Sequence, residues 1–220
     1  MSKDLQRIRV AIADDHPIIL LAVKDCLEST LGYEVAIQKT SGRGLLGALG
    51  SQPVSLIVTD FSMQHDDHHD GLRLITQLRR QYEHIPIVVF TMVTNPGVLT
   101  QLCRVGVAGL IGKDEEMAEL GRVCQRVMAG GVRPCMSPSV EKRLAESSTT
   151  KNEIADFQML SQKELEVVRM FCSGLSLTDI AKRQNRTLGT IATQKRSAMR
   201  KLNVDNNMDL VNCAREQGLI

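Results

Sequence analysis

Asp14, Asp15, Asp60, Thr91 and Lys113 each close or follow a short run of apolar, largely β-branched residues. In an open parallel sheet the ligand crevice lies outside the carboxyl ends of the strands, so residues that end different strands meet at one edge. Three carboxylates gathered there repel one another and call for a hard divalent cation. Mg²⁺, which takes carboxylates and keeps several waters, suits this donor set. One carboxylate can then attack phosphorus. The cation, a lysine ammonium and a threonine hydroxyl offset the charge on the equatorial phosphoryl oxygens. A strand-end Asp or Thr often does no more than cap the next helix, which explains any one of these residues but not five on one sheet edge. A second polar tract, His65 to Asp70, packs three His and three Asp into six residues. Consecutive ligands on a short loop rarely converge on one ion, so a solvated acidic loop is favoured over a metal site.

The elements that must position these groups are legible as alternating patterns. Buried strands are expected at Ile8 to Ala13, Tyr33 to Ile37, Val54 to Thr59, Ile87 to Thr91 and Val107 to Ile111. Helical spacing fills the gaps, as in Ile18, Leu21, Ala22 and Cys26, or Leu72, Ile75 and Leu78. Strands alternating with helices imply parallel pairing through right-handed crossovers, giving an α/β fold with a (βα)5 doubly wound parallel sheet. The segment Gly42 to Leu49 is the poorest helix former of the set, because Gly42, Gly44, Gly47 and Gly50 lower its propensity. After a helix over Glu116 to Met128 the pattern gives way to AGGVRPCMSPS and AESSTTKNE, with Glu141 to Ala145 able to form a short helix. The expected organisation is therefore a first domain over 1–130, a linker over 131–157 and a small all-α domain over 158–220.

Composition narrows the function classes. Charges in MSKDLQRIRV interrupt any secretory apolar run, and no stretch reaches the roughly 18 apolar residues of a membrane helix, so a cytoplasmic protein is expected. The six cysteines form no C-x-x-C pair, which speaks against a zinc knuckle or disulfide framework and for reduced, mostly buried thiols. Net charge is only +2, but seven basic and no acidic residues lie between Lys182 and Lys201. Such local sign bias is the footprint of a DNA-binding module.

The helices of that module carry their own punctuation. Ser161 and Glu164 have capping-box spacing, Gly174 ends the first helix, Thr178 can start a second, and Thr187 can cap a third through Leu202. Short helix, tight turn, basic helix is the helix-turn-helix order. On the third helix Ile191, Ala198, Met199 and Leu202 suit the core, which turns Thr193, Arg196 and Arg200 outward. Such a face fits the major groove, where Arg reads guanine and Thr or Ala reads a thymine methyl.

The motifs IADDHP, IVTDFSM, VVFTM and LIGKD resemble the receiver domain of response regulators, from Ile8 to about residue 130. The resemblance implies that Asp60 is the phosphoacceptor and that Asp15 and Asp60 bind Mg²⁺ directly. It adds Asp14 through water and the main-chain carbonyl of Ser62, and it sets Thr91 and Lys113 against the phosphoryl group. Two positions depart from the pattern. Leu110 stands where many receivers have a switching aromatic, and Met63-Gln64 replaces the usual Met-Pro. From Met159 to Leu219 the chain is similar to the LuxR-type domain of NarL/FixJ regulators, with the greatest similarity to Rcs-type capsule-synthesis regulators. That likeness implies base contacts from Ala192, Thr193 and Arg196 and phosphate contacts from Gln194, Lys195, Arg200 and Lys201. It further implies promoter DNA, a histidine kinase or phosphotransfer protein as phosphodonor, a homodimer or a heterodimer with another regulator, a last helix over Asn206 to Gly218, and no enzyme activity. Two rival readings are weaker. A ligand-sensing regulator conflicts with the complete acidic site and the absence of Trp; a haloacid-type phosphatase would need an Asp where Ser62 stands.

Overall fold

The computed structural model describes residues 7–63, 71–149, 160–202, 204, 206–216 and 219. The His65 to Asp70 tract lies outside these residues. The chain divides into two compact units, one built on 1–91 with 102–141, the other on 92–101 with 142–220.

The first unit is a six-stranded, wholly parallel sheet in the order β2-β1-β3-β4-β5-β6. Its strands are β1 (Arg9–Ala13), β2 (Glu34–Lys39), β3 (Leu56–Thr59), β4 (Ile87–Thr91), β5 (Gly109–Gly112) and β6 (Cys135–Met136). Every residue of β3, β4 and β5 is buried, as expected where crossover helices cover both faces of a sheet. The helices between them are α1 (Pro17–Asp25, continued by a wider π turn over Cys26–Thr30), α2 (Gly42–Leu49), α3 (Gly71–Gln81), α4 (Pro96–Val105) and α5 (Met117–Met128). The glycine-rich α2 forms where expected because Ser41 caps it, accepting from the Gly44 amide at 3.1 Å. One core unites Val10, Ile12, Leu20, Leu27, Val58, Val88, Phe90 and Val123.

Five strands were expected and β6 is the sixth. It occupies residues assigned from sequence to the linker, and 131–141 belong to the first unit. Two residues leave no periodicity to read; β6 exists because β5 offers an edge to it, with the Cys135 amide donating to the Ala108 carbonyl and the Ser137 amide to that of Leu110. Gly109 makes the approach possible, since a Cβ there would lie 2.8 Å from Val123 Cγ1 and 3.3 Å from the Cys135 carbonyl oxygen. The start of α6 (Pro138–Thr149) is tied back by Glu115, which accepts from the Ser139 amide at 2.9 Å.

In the second unit α7 (Gln162–Cys172), α8 (Leu177–Arg183), α9 (Leu188–Lys201) and α10 (Asn207–Glu216) complete the helices. Ser161 and Glu164 form the expected capping box, and Thr187 caps α9. The start of α8 is corrected: Ser176, not Thr178, is the cap, accepting from the Asp179 amide at 3.1 Å. Val167, Ile180, Ala181 and Ile191 form the centre of this unit's core.

Candidate functional site

Strand order reverses at β1, whose neighbours are β2 on one side and β3 on the other, so the crevice at the carboxyl ends opens between β1 and β3. Asp14 and Asp15 follow β1, Asp60 follows β3, Thr91 ends β4 and Lys113 follows β5. The ladder brings these ends level: the Asp60 amide donates to the Ala13 carbonyl and the Lys113 amide to that of Thr91, each at 2.8 Å. Sheet pairing alone thus brings together residues up to a hundred positions apart.

Asp14, Asp60 and Thr91 are buried. The Lys113 ammonium bridges two of the carboxylates, 2.6 Å from Asp14 Oδ2 and 2.7 Å from Asp60 Oδ2. The Phe61 amide donates to Asp60 Oδ1 at 2.6 Å. Burial pushes the Asp60 carboxyl up to about 6; Lys113 opposes that rise and the neighbouring Asp14 adds to it. Burial therefore makes this carboxylate hard to ionise even beside an ammonium partner. Asp14, Asp15, His16 and Asp60 each present one ligand atom, all within 4.8 Å of one another. Three carboxylates and one imidazole fit a divalent cation. Ser62 is half-buried beside Asp60.

His16 is the residue sequence reasoning missed. Its Nδ1 lies 2.8 Å from Asp15 Oδ1 and 3.3 Å from Asp14 Oδ1. The signal was present, a histidine directly after an acidic pair, but attention to strand ends passed over the residue that begins the next helix.

On α9 the side chains divide more sharply than expected. Thr193, Arg196 and Arg200 are exposed, while Ala192 and Gln194 are half-buried. Lys195 and Lys201, expected to contact phosphates, turn to partners inside the unit. Lys195 is nine-tenths buried, its Nζ 3.7 Å from the centre of the Phe171 ring and 2.5 Å from Asn207 Oδ1. The reason is helical register: Ile191, Lys195, Ala198 and Leu202 recur at i, i+4, i+7 and i+11, which puts Lys195 on the core stripe. Lys201 Nζ lies 2.7 Å from Glu164 Oε2, and that pairing, with the Ser161 amide, holds the Glu164 carboxyl down to about 2 against the effect of burial. Lys182, Arg183 and Arg186 remain exposed.

Both domains have counterparts among known proteins. Residues 10–125 match the response regulator receiver domain, and residues 158–214 match the bacterial regulatory proteins of the luxR family. The chain is 33% identical to the transcriptional regulatory protein RcsB of Escherichia coli K12 over 94% of each chain. It is 28% identical to BvgA of Bordetella pertussis, a putative positive transcription regulator of virulence factors, over 96% of this chain and 98% of that one. A solved structure of RcsB from Salmonella enterica serovar Typhimurium, bound to promoter rprA in the presence of the phosphomimetic BeF3⁻, superposes with a TM-score of 0.78. Its identity is 32%, covering 94% of this chain and 98% of that one.

Proposed function

Because the chain belongs to the response regulators that join a receiver domain to a LuxR-type DNA-binding domain, we propose that it accepts a phosphoryl group on Asp60 and that this acceptance controls its binding to promoter DNA. The observation that carries the reading is the bridge from Lys113 to Asp14 and Asp60 at the carboxyl edge of the sheet. A carboxylate oxygen of Asp60 attacks phosphorus on a phosphohistidine of a kinase or phosphotransfer protein. The O–P bond forms as the P–N bond breaks, and the imidazole departs with a proton. Lys113 is already at the nucleophile and transfers its ammonium from Asp60 Oδ2 to a phosphoryl oxygen. Thr91 supplies its hydroxyl from the end of β4. Asp14, Asp15 and Asp60, with the Ser62 carbonyl, would hold Mg²⁺, which when bound neutralises charge on the transferring group.

The DNA-binding face is Ala192, Thr193 and Arg196 toward bases, with Arg200, Lys182, Arg183 and Arg186 toward phosphates. A protein of this kind works in the cytoplasm as a transcription factor, without turnover, and pairs with a second copy or a related regulator. That an RcsB structure holds promoter DNA and a phosphomimetic together supports the link between the two domains. Among the described residues no helix is long and apolar enough to cross a membrane.

Incubation with a small phosphodonor and Mg²⁺ tests the reading. A gain in mass of one phosphoryl group, located at Asp60 by peptide mapping and accompanied by altered affinity for a bound duplex, is expected. Catalytic turnover of the donor without a labelled intermediate would favour a hydrolase instead.

A further inference from the structure

We propose that His16 is a ligand of the cation site, so that the site prefers a divalent transition-metal ion such as Mn²⁺ to Mg²⁺. The proposal rests on the reading of the acidic pocket as a cation site and adds to it a donor of different chemistry. Two observations point to it.

The first is position. His16 is the N-cap residue of α1, a place where Ser, Thr, Asp or Asn normally satisfies the first amides of the helix. Its side chain makes no capping bond, and Pro17 follows it. Helix formation therefore gives no account of an imidazole there. The ring turns toward the sheet edge, although most of its surface is open to solvent.

The second is geometry. Donors held about 2.1 Å from an octahedral ion stand about 3 Å apart when adjacent. Nδ1 of His16 stands 2.8 Å from Asp15 Oδ1 and 3.3 Å from Asp14 Oδ1. Both spacings are those of adjacent donors on one ion, and the Oδ1 atoms of Asp14 and Asp15 are not the oxygens that Lys113 takes, since the ammonium lies on Asp14 Oδ2 and Asp60 Oδ2. Asp60 brings the third carboxylate, with a ligand atom within 4.8 Å of the other three groups. The His16 amide donates to Asp14 Oδ1 at 3.0 Å, which fixes the acidic residue and the imidazole in one turn of backbone.

The selectivity follows from donor type. Mg²⁺ is a hard ion that favours oxygen and loses its waters reluctantly, whereas imidazole suits the borderline ions, with affinity rising from Mn²⁺ along the first transition row to Cu²⁺. One nitrogen among carboxylates shifts preference without excluding Mg²⁺.

The test uses the full chain loaded with Mn²⁺. Electron spin echo envelope modulation should show ¹⁴N coupling to the bound ion in the wild type and lose it in His16→Gln. Competition titrations should show Mn²⁺ binding weakened about tenfold in that variant, with Mg²⁺ binding nearly unchanged. The wild-type spectrum needs no variant, so the proposal stays testable if His16→Gln behaves poorly. Mn²⁺ bound without nitrogen coupling, and with equal affinity in both proteins, would overturn the role of His16 alone. Absence of Mn²⁺ and Mg²⁺ binding, or binding that survives Asp60→Asn undiminished, would overturn the cation-site reading and the proposal with it.

Discussion

At the scale of single residues, burial makes the charge of Asp60 costly to the fold. The Asp60 carboxyl is raised from 3.8 to about 6, so between those values the folded chain holds a proton that the unfolded chain has lost. Stability therefore falls as pH rises through that window, and the full cost of the buried charge is present above about 6. Asp60→Asn removes the carboxylate proposed to accept the phosphoryl group, and with it the cost of burying that charge and the repulsion from Asp14. The variant should take no phosphoryl group, and its melting temperature should exceed that of the wild type at neutral pH, with the difference shrinking as pH falls toward 4. Melts of both proteins across that range decide the point; a variant less stable at neutral pH would mean that the Lys113 bridge outweighs the burial. Lys195 carries the opposite lesson. Its ammonium faces a ring and an amide oxygen, and burial lowers its affinity for a proton. Lys195→Met should leave the salt dependence of DNA binding unaltered, whereas loss of a true phosphate contact would lower the slope of log affinity against log salt by about one.

At the scale of elements, two local contacts hold pieces that their sequences would not hold alone. β5 lies close against α5 and β6 because residue 109 has no side chain. Gly109→Ala drives a methyl group into Val123 and the Cys135 carbonyl, and it should destabilise the first unit by about 1–3 kcal/mol, measured by chemical denaturation. In the second unit, Lys201 on α9 completes the charge of Glu164, which caps α7. Glu164 has its carboxyl lowered from 4.5 to about 2, so the stability it contributes is fully present above 4.5 and is lost as pH falls toward 2. Lys201→Ala leaves a buried carboxylate short of a partner and should cost about 1–3 kcal/mol at neutral pH. That penalty should narrow as acid protonates Glu164. Denaturant curves at neutral and acidic pH measure it; a penalty independent of pH would assign the loss to packing.

At the scale of the whole molecule, the receiver half is nearly balanced in charge, while the basic groups that face solvent on α8 and α9 are the ones we propose attract nucleic acid. Exposed arginines on α9 should nevertheless fail in different ways. Arg196→Ala should lose about 1–3 kcal/mol on a cognate duplex and flatten the preference at one base pair, since a bidentate arginine reads guanine. Arg200→Ala should weaken cognate and scrambled duplexes alike and reduce the salt slope by about one. Titrations of both duplexes over a salt series separate the two, and equal losses from Arg196→Ala on both would move base reading elsewhere on the helix.

Much of this was legible in the chain itself. A strand buried on both faces reads as a β-branched run, so β4 was placed residue for residue at Ile87–Thr91, and its four companions in the central sheet to within a few positions. Strand ends in a parallel sheet share one edge, so the order of elements by itself gathers Asp14, Asp15, Asp60, Thr91 and Lys113. A capping box is local chemistry, and Ser161 with Glu164 behaved as their spacing required. Tertiary structure decided what depends on partners distant in sequence. β6 has no pattern of its own and exists because β5 leaves an edge to pair. Lys195 and Lys201 looked like surface charges by type, yet the packing of α9 against Phe171, Glu164 and Asn207 claimed both. His16 became part of the acidic site only when the turn into α1 brought its ring beside Asp15, a relation set by backbone direction that residue type does not record.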